Sequence, residues 1–210
     1  MDKPLERKYY KNEIIYFRKT KEKFGGLSNM AAGYPLFVNN IKILTSEALY
    51  QACRYPHLPG VQWQIIDQKS PMTAKMKSKK YKTDSRKDWD RVRLQIMRWS
   101  IRVKLVQNWG EFSQLLLSTD NKDIVEESLK DDFWGAIPFD RNLLVGTNAL
   151  GRLLMELREE LKLINPDEAY ILKPPQIENF KLFGRDIKSI SFKVKSKEAN
   201  NNQLNLFDNK

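Results

Sequence analysis

Residues 88–109 read DWDRVRLQIMRWSIRVKLVQNW, and the placing of their apolar side chains decides the fold class. Trp89, Val92, Ile96, Trp99, Val103, Val106 and Trp109 recur every three or four residues, the repeat of one face of an α-helix. The segment is therefore read as a long amphipathic helix, with Trp99 and Trp109 assigned to packing. Upstream, Thr45 or Ser46 caps a helix carrying Glu47 in its first turn, where the helix dipole favours a carboxylate, and Pro56 and Pro59 end it. Helices are also expected over Gln62–Gln68 and from Ser70-Pro71, with proline at the first helical position, and the lysine-rich run Lys75 to Lys82 follows. Downstream, Glu111–Ser118 and Asp123–Leu129 read as shorter helices, and Asn148–Leu163 as a strong one stopped by Asn165-Pro166.

Few strands are visible. Ile14 to Phe17 is one, and Pro35–Val38 with Ile41–Leu44 forms a hairpin whose Asn39-Asn40 turn accepts positive φ. The expected architecture is thus mainly α with a small β hairpin or sheet, a compact multihelical domain over residues 1–165. Residues 166–210 change texture, with Pro174-Pro175, a short β-like alternation and a Lys- and Asn-rich end, and read as an appendage with a disordered tail.

Composition narrows the chemistry. Lys and Arg total 37 against 26 Asp and Glu, a net charge of +11, which favours an acidic partner such as nucleic acid. Cys53 is the only cysteine and His57 the only histidine, which removes disulfides, thiolate zinc sites, Ser-His-Asp triads and Cys-His pairs. Carboxylates and lysines are left, with no cofactor and no metal implied. The basic N-terminus lacks an apolar signal core and no apolar run approaches membrane-spanning length, so a cytoplasmic protein with no membrane partner is expected.

Four blocks then suggest one pocket: Phe24-Gly25-Gly26-Leu27-Ser28-Asn29-Met30, Thr45-Ser46-Glu47 with Tyr50-Gln51-Ala52, Asp131-Asp132-Phe133-Trp134-Gly135, and Gly146-Thr147-Asn148-Ala149-Leu150-Gly151. Asp132 places a carboxylate beside a flat apolar wall and a glycine turn, an arrangement able to stack a base and protonate it. Asp131 reads as a helix cap. Asn148 opens a helix whose free N–H groups can meet a phosphate, or is a plain cap. Lys75 is one lysine among many, unless it faces the pocket as a phosphate partner or an amine nucleophile.

These blocks, with Ser70-Pro71-Met72, Ala74-Lys75, Trp89, Val92, Met97 and Leu150-Gly151 through Arg158, make residues 14–162 resemble the NADAR, or YbiA-like, family. The resemblance implies cleavage of N-glycosidic bonds. Relatives act on phosphoribosyl-amino-pyrimidine intermediates of riboflavin synthesis or remove ADP-ribose from guanine in DNA. Glu47 and Asp132 then suit the two carboxylate roles that an oxocarbenium-like transition state needs, and Lys75 a Schiff base if the linked nitrogen is exocyclic. Gly25, Ser28, Asn29, Trp89, Trp134, Gly135, Gly146 and Asn148 are the expected substrate contacts. The chain departs from the family in having Ala48 where many relatives have His, and a bulkier segment over Ala136–Asn142.

The positive charge turns the expectation toward ADP-ribosylated DNA, in an antitoxin or repair role with an ADP-ribosyltransferase toxin as partner. A riboflavin-intermediate hydrolase and a non-catalytic ADP-ribose or nucleic-acid binder are the alternatives. Gln203, Leu204, Leu206 and Phe207 in the tail resemble the peptide by which bacterial repair proteins dock on the sliding clamp.

Overall fold

The computed structural model describes residues 6–165 and 168–193. Strands β1 (Arg7–Tyr10) and β2 (Ile15–Phe17) lead through a 3-10 turn at Gly25–Leu27 into the hairpin of β3 (Leu36–Val38) and β4 (Ile41–Ile43). Asn39 and Asn40 make that turn at φ 51° and 64°, as the sequence predicts. Five helices follow: α1 (Ser46–Ala52), α2 (Pro59–Ile66), α3 (Pro71–Lys80), α4 (Trp89–Gln107) and α5 (Trp109–Leu117). Then come β5 (Ile124–Glu126), β6 (Ile137–Pro138), β7 (Leu143–Gly146), α6 (Ala149–Lys162), β8 (Ala169–Leu172), β9 (Lys181–Leu182), β10 (Arg185–Asp186) and β11 (Ile190–Lys193).

Helix makes up 39% and strand 19%, so the fold is an α/β mix and the expectation of a mainly α protein is corrected. The strands have two to four residues each, too few to print a period-two pattern on the sequence. They form one three-stranded sheet in the order β1-β7-β6 and several two-stranded ones. The segment Asp123–Leu129 is likewise not a helix. Ile124 and Val125 are β-branched and fully buried, and they pair in parallel with Ile15 and Tyr16, so β5 forms against β2.

α4 is the spine. Val92, Ile96, Trp99 and Val103 are buried in the main core, which also takes Leu49 from α1, Ile65 from α2, Phe112 from α5 and Leu154 from α6. Pro59 does not end α1 but opens α2 at its first turn, where a missing N–H costs nothing. Arg98 and Arg102 pair with Glu156 and Glu160, tying the outer side of α4 to α6. Within the expected appendage, Phe180, Leu182 and Ile187 enter the same core, and Gln62 donates to the Lys181 carbonyl at 2.9 Å and accepts from Phe183 N–H at 2.7 Å. The clamp-like residues Gln203 to Phe207 lie outside the described residues.

Candidate active site

Glu47 stands in the first turn of α1 because Thr45 caps that helix, accepting from Ala48 N–H at 3.2 Å. The loop ending at Asn29 is tied to the same turn: the Asn29 carbonyl accepts from Glu47 N–H at 2.9 Å and from Ser46 Oγ at 3.0 Å. Glu47 is only 2% exposed, and its carboxylate accepts from Asn29 Nδ2 at 2.5 Å and Gln51 Nε2 at 2.9 Å. Gln51 in turn accepts from Ser78 Oγ on α3. Burial pushes the Glu47 carboxyl above the usual range, opposed by the Lys75 ammonium and by the two amide hydrogen bonds.

A second glutamate meets it from the sheet. Glu126 ends β5, and its carboxyl is pushed up to about 7 by burial first and then by the Glu47 charge, with Lys75 opposing. Ser28 Oγ donates to it at 3.4 Å. Asp131 adds a third acid: its Oδ1 accepts from Phe133 N–H at 3.1 Å and Trp134 N–H at 2.8 Å, and its charge raises both glutamates further.

Glu47, Lys75, Glu126 and Asp131 line one cavity of about 910 Å³, large enough for a nucleotide-sized ligand. Its wall is aromatic. Tyr50 packs at 5.0 Å from Trp89 and, edge-on, at 5.5 Å from Trp134. Arg93 lies over Phe133 at 3.8 Å and Arg54 over Trp89 at 4.9 Å, and both arginines line the cavity, so cations border the aromatic wall. Such a site can protonate a leaving base, stabilise positive charge at a sugar carbon and offer an amine for covalent attack.

Of the residues expected from sequence, the structure brings Glu47, Lys75, Asn29, Trp89 and Trp134 to the cavity. Asp132 does not line it. Its side chain is exposed and its carbonyl accepts from Thr147 N–H, while the neighbouring Asp131 faces inward. Nor are the N–H groups at the start of α6 open to a phosphate: Asn148, Ala149 and Leu150 donate to the carbonyls of Gly135, Phe133 and Trp134. The Asn148 side chain braces β5, accepting from Glu126 N–H at 3.2 Å and donating to the Ile124 carbonyl at 2.8 Å. Gly25, Gly135 and Gly146 serve backbone approach, since a Cβ on Gly135 would lie 2.3 Å from the Glu126 carbonyl and one on Gly146 2.6 Å from that of Gly135. Ser28 reaches the site through Glu126.

Sequence reasoning missed Glu126, because the segment around it was read as a helix; the pair Ile124-Val125, both β-branched, is the signal that would have placed it on a strand. It also missed Arg54, which stands in none of the blocks. A profile of the NADAR domain matches residues 16–162, a span holding every residue of this cavity. The chain belongs to the NADAR family. It is 36% identical over 148 residues to the N-glycosidases YbiA of Escherichia coli (strain K12) and Shigella boydii, covering 70% of this chain and 88% of each relative. The riboflavin biosynthesis protein VVA0006 of Vibrio vulnificus is 34% identical over 150 residues, 38% of its own length. The NMR structure of Escherichia coli YbiA matches with a TM-score of 0.63 at 34% identity, over 74% of this chain and 88% of that one. The NADAR match ends before β8, so the strands that seal the core around Phe180 lie beyond the family's domain. Among the described residues no helix is long and apolar enough to cross a membrane, and no group of three or more His, Cys, Asp or Glu is placed to hold a metal ion.

Proposed function

We propose that this NADAR cavity hydrolyses the N-glycosidic bond of ADP-ribosylated guanine in DNA. The observation that carries the reading is the meeting of two acids of raised pKa, Glu47 and Glu126, with Lys75 beside an aromatic wall. A carboxyl near 7 holds its proton in part of the molecules at neutral pH, which suits a general acid for the leaving base. Glu126 takes that role, which sequence reasoning gave to Asp132. Glu47 stabilises the developing positive charge at the anomeric carbon. If the linked nitrogen is exocyclic, the sugar ring opens to an imine and the Lys75 amine adds to its C1. The base nitrogen then leaves with a proton from Glu126, a lysine Schiff base remains, and water hydrolyses it to release the sugar and free Lys75. The net charge of +11 supports a DNA-borne substrate.

A second reading has its own support. The relative named as a riboflavin biosynthesis protein favours a phosphoribosyl-amino-pyrimidine substrate, which the same groups are able to cleave. Incubating the protein with a guanine-ADP-ribosylated oligonucleotide and, separately, with the riboflavin intermediates decides between them. Release of ADP-ribose in the first alone is expected. Turnover of the intermediates alone replaces the first reading with the second, and turnover of neither substrate removes both.

A further inference from the structure

One corner of the cavity is built from cations that the bond-breaking chemistry leaves unused. Arg54 follows α1 and is held at two points: its Nε donates to Ser85 Oγ at 2.6 Å, and its guanidinium carbon lies 4.9 Å from the centre of the Trp89 ring. The facing segment is fixed to it. Arg86 N–H donates to the Arg54 carbonyl at 3.0 Å, and the Arg86 guanidinium forks onto Asp88 at 2.6 and 3.0 Å while reaching the Glu178 carbonyl at 2.7 Å. Ser85 Oγ closes the turn on the Lys82 carbonyl.

Among the described residues, neither terminal nitrogen of Arg54 has a hydrogen bond or ion pair, and the ammonium groups of Lys82 and Lys87 have none either. All three residues line the cavity, Arg54 against Trp89. The carboxylates close in sequence do not neutralise them: Asp88 is taken by Arg86, Asp90 is nearest Arg93 at 3.8 Å, and Asp84 is exposed and does not line the cavity. An arginine stacked on an aromatic ring and fixed at Nε presents the edge of its fork ready-made, and two lysines add point charges beside it. That combination fits a doubly charged oxyanion.

We infer that the Arg54–Lys82–Lys87 corner is an anion subsite that takes a phosphate carried by the sugar of the substrate. This rests on the glycosidase reading for what the substrate is, and on the corner's own geometry for what binds. The sugar's phosphate is favoured over a strand phosphate because Trp89 serves both parts of the cavity, packing on Tyr50 of the reactive wall and on Arg54 of the corner.

Calorimetric binding of ADP-ribose, ribose 5-phosphate and an unmodified single-stranded oligonucleotide tests the assignment without any turnover. Arg54→Gln should weaken both sugar phosphates about ten- to hundredfold, the usual worth of hydrogen bonds to a charged group. Arg54→Lys should recover only part of this, since an ammonium cannot fork, and the joint Lys82→Gln and Lys87→Gln variant should show a smaller loss. If Arg54→Gln proves poorly folded, Arg54→Lys and the double lysine variant carry the comparison. Sugar-phosphate affinities equal to wild type in the folded variants overturn the proposal, as does a loss confined to the oligonucleotide. Arg54-dependent sugar-phosphate binding in a protein that turns over no substrate removes the glycosidase reading and leaves the subsite standing. Turnover with binding indifferent to the corner does the reverse.

Discussion

Replacing Glu126 by Gln should stabilise the folded protein while stopping its chemistry. The half-buried carboxyl titrates near 7 in the fold against 4.5 for an ordinary glutamate. Between those values the folded state keeps a proton that the unfolded chain has lost. Stability from this group is therefore complete below about 4.5, falls as pH rises, and reaches its full deficit above about 7. At about 1.4 kcal/mol for each pH unit the deficit is about 3 kcal/mol, and water reaching a half-buried side chain brings it to about 1–3 kcal/mol. Glutamine keeps the shape and has no charge to bury. Urea unfolding of both proteins from pH 4.5 to 8.5 reads the effect: near-equal stability at the acid end, and Glu126→Gln ahead by about 1–3 kcal/mol at pH 8. A gap that does not change with pH, or a variant less stable than wild type at pH 8, refutes the placement of a strained carboxyl there. Loss of turnover in the same variant separates a functional strain from an idle one.

Other outcomes follow from the same contacts. Asp131→Asn should cut turnover far more than Asp132→Asn, because Asp131 lines the cavity and Asp132 does not; kcat for the two variants checks this, and the reverse order would return the role to Asp132. Lys104 is 1% exposed, its pKa is pushed well down by burial, and it donates to the Gly26 carbonyl at 2.5 Å and that of Ser28 at 3.0 Å. Lys104→Met should therefore lower kcat by loosening the loop that carries Asn29, while stability moves by no more than about 2 kcal/mol, since an apolar side chain in place of a buried cation offsets the unpaired carbonyls; unchanged kcat would deny the loop its positioning role. A Cβ on Gly151 would lie 2.0 Å from the Ile124 carbonyl. Gly151→Ala should force α6 from β5 at about 1–3 kcal/mol, a fall in melting temperature of roughly 2–12 °C.

How far the sequence could be read depended on length and on which partner an element has. α4 was legible because nineteen residues repeat a 3.6-residue pattern, and the hairpin because two asparagines in succession take positive φ. β5 was not, since three residues carry no period and their strand geometry comes from β2, over a hundred positions earlier in the chain. The site divided along the same line. Glu47 and Asn29 sit in segments whose local chemistry, a capped helix turn and a glycine loop, already showed their place. Glu126 depends on a parallel pairing and Asp131 on the ladder between residues 132–135 and 147–150, both non-local. Hence the sequence alone points to the neighbouring Asp132 as the inward-facing acid. Arg54 stands in no sequence motif and only the fold sets it against Trp89, while the basic run around Lys82 and Lys87 does not by itself say which cavity it lines.

The central claim is that the cavity around Glu47 breaks an N-glycosidic bond. Its most direct test is release of ADP-ribose from a guanine-ADP-ribosylated oligonucleotide under single-turnover conditions, wild type against Glu47→Gln. Release by wild type, with a rate lowered about a hundred- to ten-thousandfold in Glu47→Gln, is the expected result. Equal rates in the two proteins would contradict it.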